Sequence, residues 1–305
     1  MSLLAFTSSI ELGLIYALVS LGIFISYRIL NIADLTVDGS FTLGAAVAAV
    51  MAINGSSVLG IILAVIAGGF AGLVTAFLQT KLKVQPILAG ILTMTALYSI
   101  NLEVMGGRAN VSLLGTTTLF EAADTFISPY VGRLIVALVI VAVIAVCIVL
   151  FLNTQTGLSV RATGDNEDMV RSSSINPDFT KCIGLTIANA LVALSGALLV
   201  HYQAFADVSM GIGMVVIGLA SLIIGEIIFG KRSILNNVIS VILGSIVYRA
   251  IIALALEINF SPSSLKLISA LIVTLAISQP AIKEQIELYK HKKRGRADAS
   301  HNRSL

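Results

Sequence analysis

Apolar residues in this chain do not alternate with polar ones but gather into long runs. Runs that read as membrane spans cover residues 8–27, 58–80, 86–105, 131–152, 179–204, 211–229, 233–255 and 265–281, with a shorter one at 39–53. A hydrocarbon core of about 30 Å takes roughly 20 apolar residues per helix. The pattern therefore predicts an all-α, polytopic membrane helical bundle of about nine transmembrane helices, between eight and ten. The stretch before the short run, Tyr27 to Ser40, mixes charge with apolar residues and reads as a broken or partly re-entrant helix.

Composition agrees with the runs. Of 305 residues, 57% are hydrophobic and only 11% charged, with a mean hydropathy of +0.99; soluble domains carry about 25% charged residues. The expectation is one transmembrane domain over residues 1–281 followed by a basic cytoplasmic tail over 282–305. Loops this short argue against chemistry on bulk metabolites and against nucleic-acid reading. Cys147 and Cys182 lie in or beside apolar segments without a CxxC pair, so buried inert thiols are expected rather than a disulfide framework or a metal site.

The position of the charge predicts the orientation. With nine alternating spans and the N-terminus outside, the inner loops and tail hold fifteen Lys and Arg residues, against Arg108, Arg133, Arg249 and Lys266 on the outer side. That is a positive-inside distribution, which puts the C-terminus in the cytoplasm.

Polar side chains at membrane depth are costly, and they mark functional candidates. The densest cluster is Asn31, Asp34, Thr36, Asp38, Ser40 and Thr42, in which Asp34 and Asp38 share a face at i and i+4 if helical. A second set, Thr95, Tyr98 and Asn101, follows Thr93 in the fourth run. Both are read as lining a translocation path, with two competing readings: an N-cap for the second span, and hydroxyls bonded to helix carbonyls. Glu11, Asn189, Asp207, Glu226 and the lone His201 are further buried-polar candidates, and 204–213 reads as an outer-face bend. Gly68 and Gly72 form a GxxxG, and Ser195 and Gly196 a second small patch, both expected to serve helix packing.

The longest inner loop, Asn153 to Asp178, carries Arg161, Asp165, Glu167, Asp168 and Arg171 around apolar Val160, Met169 and Val170. Its alternation predicts a short amphipathic helix, from about Val160 to Ser173, suited to a partner's groove. Within it Gly157, Arg161-Ala162 and Ile175-Asn176, followed by Ser195-Gly196 in the next span, resemble the permease subunits of ABC importers of the branched-chain amino-acid and ribose type. Two departures, Ser174 where that family usually has Gly and Glu226 in place of a Gly-rich turn, suggest a divergent branch.

The resemblance implies a dimeric pore, simplest as a homodimer, working with two cytoplasmic ABC ATPase subunits and an extracytoplasmic solute-binding protein in a bacterial inner membrane. It implies that Gly157, Arg161, Ala162, Asp165, Glu167, Asp168, Met169, Arg171 and Asn176 couple to the ATPase. An amino acid is the favoured solute. ATP and Mg²⁺ would be held by the partner and no cofactor by this chain. Gly225 to Lys231 matches most of a phosphate-binding loop, but Arg232 stands where Ser or Thr must hold Mg²⁺. The rival reading is an ion-coupled secondary transporter using Asp34, Asp38 or Glu226. No nucleophile, HExxH or ordered acidic cluster supports an enzyme.

Overall fold

In hydrocarbon every backbone N–H and C=O must be satisfied within the segment, so apolar runs become helices. The computed structural model describes residues 3–121 and 132–257, with isolated helical positions between 267 and 278, and it gives each of the first eight runs a helix. In chain order these are α1 (Leu3–Ile23), α2 (Thr36–Ile53), α3 (Ser57–Thr80), α4 (Pro86–Val104) and α5 (Gly132–Leu152). Two short loop helices follow, α6 (Gln155–Asp165) and α7 (Glu167–Ser172), and then α8 (Pro177–Gln203), α9 (Met214–Phe229) and α10 (Ile234–Glu257). Seven are long and apolar enough to cross a membrane, while α9, with 16 residues, is shorter. Apart from those isolated positions, the ninth run and the basic tail lie outside the described residues.

The break expected between the first two spans is present. The end of α1 widens into a π-helical turn, Phe24–Ile29, and the chain leaves it through Asn31 in the left-handed region, at φ 55°. It re-enters a helix at Thr36, three residues before the expected start.

α8 is the hub of the bundle. Without a hydrophobic drive between helices in lipid, close packing needs small residues, and here backbones nearly touch. A methyl on Gly44 would stand 2.0 Å from the Ala193 carbonyl oxygen, and one on Gly196 2.0 Å from that of Phe41. The GxxxG of α3 faces α8 in the same way: a Cβ at Gly72 would lie 2.3 Å from the Leu185 oxygen, and one at Gly68 2.2 Å from the Ala193 methyl. Hydroxyls add interhelical bonds, from Ser195 Oγ to the Ile15 carbonyl at 2.7 Å and from Ser245 Oγ to that of Gly13 at 2.8 Å. At the periphery α5 exposes Leu138, Val143, Val146 and Leu150. Cys147 is exposed on this helix and Cys182 half-buried, so neither is the buried thiol expected; a lipid-facing helix has no core in which to hide one.

At one end β1 (Asn110–Ser112) pairs antiparallel with β2 (Phe205–Asp207), with Val111 opposite Ala206. This pair packs with Ala45, Ala49 and Ala52 of the far half of α2. The segment 204–213 is more than the outer bend expected of it. After β2 it runs back along α2, where the buried Gly211 donates its N–H to Thr42 Oγ1 at 3.1 Å. At 1.5 Å per residue the return from the level of Ala52 to that of Thr42 is about 15 Å, so α9 starts well inside the bundle.

Candidate functional site

The start of α2 is held by a buried polar network. Asp34 Oδ1 accepts the Thr36 N–H at 2.9 Å, and Asp34 Oδ2 accepts Asn189 Nδ2 of α8 at 2.7 Å. Asn189 also donates to the Leu185 carbonyl at 3.0 Å and accepts from Ser40 Oγ at 2.6 Å. Thr36 and Thr75 share a hydroxyl contact of 2.8 Å, which brings in α3. Three helices are thus tied by groups that satisfy one another out of water, where an unpaired member would be expensive. Asp34, Thr36 and Ser40 therefore sit in a structural lock at the start of α2, and Asn31 lies apart, beside Gln85 and Pro86.

The remaining path candidates do converge. Asp38 and Thr42 of α2 face Thr95, Tyr98 and Asn101 of α4 across a cavity of about 410 Å³, which Met94, Val208 and Ile212 complete. Asp38 is a cap for the helix that begins beside it: its Oδ2 accepts the Gly213 N–H at 2.9 Å and its Oδ1 that of Val215 at 3.0 Å. This is an N-cap supplied by another helix, at the positive end of the α9 dipole. Thr95 returns its hydroxyl to the Ile91 carbonyl at 2.8 Å, and Thr93 to that of Ala89 at 3.0 Å. Asn101 donates Nδ2 to the Gly39 carbonyl at 3.2 Å, and its buried Oδ1 has no partner among the described residues.

The inner loop also folds by local rules, but not as one helix. Thr154 Oγ1 caps α6 by accepting the Gly157 N–H at 3.2 Å, and Asn166 Oδ1 caps α7 by accepting that of Met169 at 3.0 Å. Asn166, extended at φ −158°, splits the single helix expected over Val160 to Ser173 into two. Asn176 Oδ1 then caps α8 through Asp178 N–H at 3.0 Å. Gly157 and Gly164 are backbone seats: a Cβ on the first would lie 2.1 Å from the Phe151 oxygen, and on the second 1.8 Å from that of Ile29.

Two contacts staple the loop to α8. Glu167 receives Lys181 Nζ at 2.5 Å and Arg171 at 3.2 Å, and the Thr163 and Thr180 hydroxyls meet at 2.7 Å. The Lys181 ammonium, with help from Arg171, holds the Glu167 carboxyl below the usual carboxylate range. On the outside of this stapled unit stand Leu158, Met169, Ile175 and Phe179, each at least 36% exposed among charged neighbours. Arg161 and Ala162 are half-buried on α6, whereas Asp165, Asp168 and Arg171 are exposed.

Gly225 to Lys231 is helical through Phe229, with no preceding strand, so it is no phosphate-binding loop. Glu226 instead pairs with Arg28 Nε at 2.8 Å and lies 3.8 Å from Lys231 Nζ. The three carboxylates offered as an ion-coupling site are each engaged: Asp34 by an amide, Asp38 by a helix terminus, Glu226 by cations.

Comparison with known proteins decides the family. A family model described as "Branched-chain amino acid transport system / permease component" matches residues 6–278. The chain belongs to this permease family. It is 40% identical over 262 residues to the tyrosine transport system permease protein of Clostridioides difficile (strain R20291), covering 86% of each chain. It is 27% identical over 182 residues to the ribose import permease protein RbsC of Haemophilus influenzae, covering 58% of this chain and 54% of the relative. In fold it is similar to the structure of PsaBC from Streptococcus pneumoniae in complex with Fab, with a TM-score of 0.51 at 14% identity, covering 89% of each chain.

The permease is thus a multi-pass membrane subunit of an ABC importer for small solutes. Subunits of this family are normally translocation components without enzymatic activity, and the family works with an ATPase and a solute-binding protein. The residue missing from the expected site is Asn189, the hub of the polar lock. Its sequence signal was an amide within an otherwise apolar run, which marks a buried polar group but not its partners.

Proposed function

We propose that this permease moves an amino acid inward through a homodimeric pore, driven by ATP and Mg²⁺ bound on a partner ATPase. It would lie in a bacterial inner membrane with its N-terminus outside and its tail in the cytoplasm. The solute class is supported by the tyrosine transport permease, 40% identical over 262 residues. The orientation is supported by the fifteen basic residues on one side.

The observation that carries the reading is the loop of 153–178. Exposed apolar side chains on a polar, stapled helix pair make a rigid knob for a groove, and Leu158, Met169, Ile175 and Phe179 supply it. Lys181 and Thr180 tie that knob to α8, and Asn189 ties α8 to the start of α2. Closure of the ATPase would then tilt α8 and shift the populations of inward-facing and outward-facing states. Asp38, Thr42, Thr95, Tyr98 and Asn101 line the path at the cavity.

Co-expression with the partner ATPase and reconstitution tests this. Arg161→Glu, or deletion of residues 160–171, is expected to abolish stimulated ATP hydrolysis while membrane insertion persists. Unchanged stimulation would remove the coupling role. ATP-independent uptake by the purified chain would remove the importer mechanism.

A further inference from the structure

The 410 Å³ cavity between α2, α4 and the 208–212 segment is chemically one-sided. Among the described residues, Asp38 is the one carboxylate on its wall, and no Lys, Arg or His lines it. Across from Asp38, Asn101 presents a fixed polarity. Its Nδ2 is committed to the Gly39 carbonyl at 3.2 Å, which orients the amide and leaves Oδ1 as a buried acceptor without a donor. A buried acceptor left unpaired is costly, and in a membrane interior such groups mark functional candidates. Tyr98, Met94 and Ile212 give the rest of the wall an apolar body, and Tyr98 and Ile212 are exposed residues.

From this geometry we infer that the cavity is a transient subsite for a solute carrying an ammonium group on an apolar body. The ammonium donates to Asn101 Oδ1 and is attracted by the Asp38 carboxylate. The apolar part rests on Tyr98, Met94 and Ile212. The inference rests on the transport reading above and deepens it by naming the group the pore recognises. Because Asp38 also holds the Gly213 and Val215 amides, 2.9 and 3.0 Å away, an ammonium at Asp38 competes for the charge that pins the start of α9. Solute entry and release of the α9 terminus are coupled through one carboxylate.

The test uses the full permease assembled with its ATPase in membrane vesicles, in a Cys147→Ser, Cys182→Ser background. Thr95→Cys places a thiol on the cavity wall, where position 95 is exposed. Modification rates are compared for the cationic 2-aminoethyl and the anionic 2-sulfonatoethyl methanethiosulfonates, each normalised to its rate with a small free thiol. A normalised preference of at least tenfold for the cation is expected, and Asn101→Asp is expected to raise it further. Equal rates, or an anion preference, would overturn the subsite. In parallel, Asn101→Leu is expected to lower uptake of an ammonium-bearing solute at least tenfold while ATPase stimulation persists, and unchanged uptake would overturn it. If wild type shows no ATP-dependent uptake but the cation preference holds, the transport reading fails and the cavity chemistry stands.

Discussion

Asn189 Nδ2 donates to Asp34 Oδ2 at 2.7 Å, joining the middle of α8 to a residue just before α2. Both side chains are buried, so neither exchanges this bond for water without cost. Asn189→Leu removes the donor from Asp34 Oδ2 and the acceptor from Ser40 Oγ, while Asp34 Oδ1 keeps the Thr36 N–H. We expect a loss of about 1–3 kcal/mol, seen as a drop in thermal midpoint. Asp34→Leu in the same chain should recover part of it, and strictly additive losses in the double-mutant cycle would show that the two are not coupled.

Asp38 caps a helix it does not belong to. Asp38→Ala frees the Gly213 and Val215 N–H groups at the start of α9. The expected stability cost is about 1–2 kcal/mol, the range for a lost N-cap, and uptake should fall by far more than stability does. Normal uptake by both Asp38→Ala and Asp34→Ala would exclude either carboxylate from transport.

Helix contact at Gly196 leaves no room for a side chain, since a Cβ there would approach the Phe41 carbonyl oxygen to 2.0 Å. Gly196→Leu should separate α8 from α2 and cost at least about 3 kcal/mol. Gly55 has nothing within 4 Å, but its φ of 77° penalises any side chain; Gly55→Ala should cost about 1–2 kcal/mol. A monodisperse, thermally stable Gly196→Leu protein would contradict the close packing.

The Glu167–Lys181 pair gives the loop a pH dependence. The folded-state carboxyl lies below its unfolded range, so its contribution is present above the unfolded value of about pH 4.3 and is lost as pH falls through the folded one. Amide protection factors over residues 166–176, corrected for the intrinsic exchange rate, should fall below about pH 4. Glu167→Gln should show fast exchange at neutral pH and no such step.

Ser174 occupies the left-handed region at φ 61°, at the position where the family resemblance anticipated glycine. Ser174→Gly should leave loop order and coupling intact. Ser174→Val adds a β-branched side chain where even an ordinary one costs about 1–2 kcal/mol, and limited proteolysis of the loop should detect the loosening. Equal protection of the two variants would mean that this φ does not constrain the turn.

The positions of the helices were written in the chain. Apolar runs must satisfy their own backbone in lipid, so eight runs could be read as helices with ends displaced by a few residues, and the break near Tyr27 to Ser40 followed from its mixed polarity. Caps were almost as local: Thr154, Asn166 and Asn176 each bond an N–H two or three residues ahead. Yet the apolar spacing continues past Asn166, so the pattern predicts one helix through a residue that caps the second of two.

Tertiary structure decided which polar residues meet. Asp34 and Asp38 are four residues apart and of one chemical type, but Asn189, 155 residues from Asp34, takes one into a lock, whereas Gly213, 175 residues from Asp38, engages the other at the cavity. Hydrophobic periodicity fixes the depth and length of a helix because those depend on its own residues and the lipid. Partner choice depends on close backbone approach at Gly44, Gly72 and Gly196, and that is set by the shapes of several helices at once.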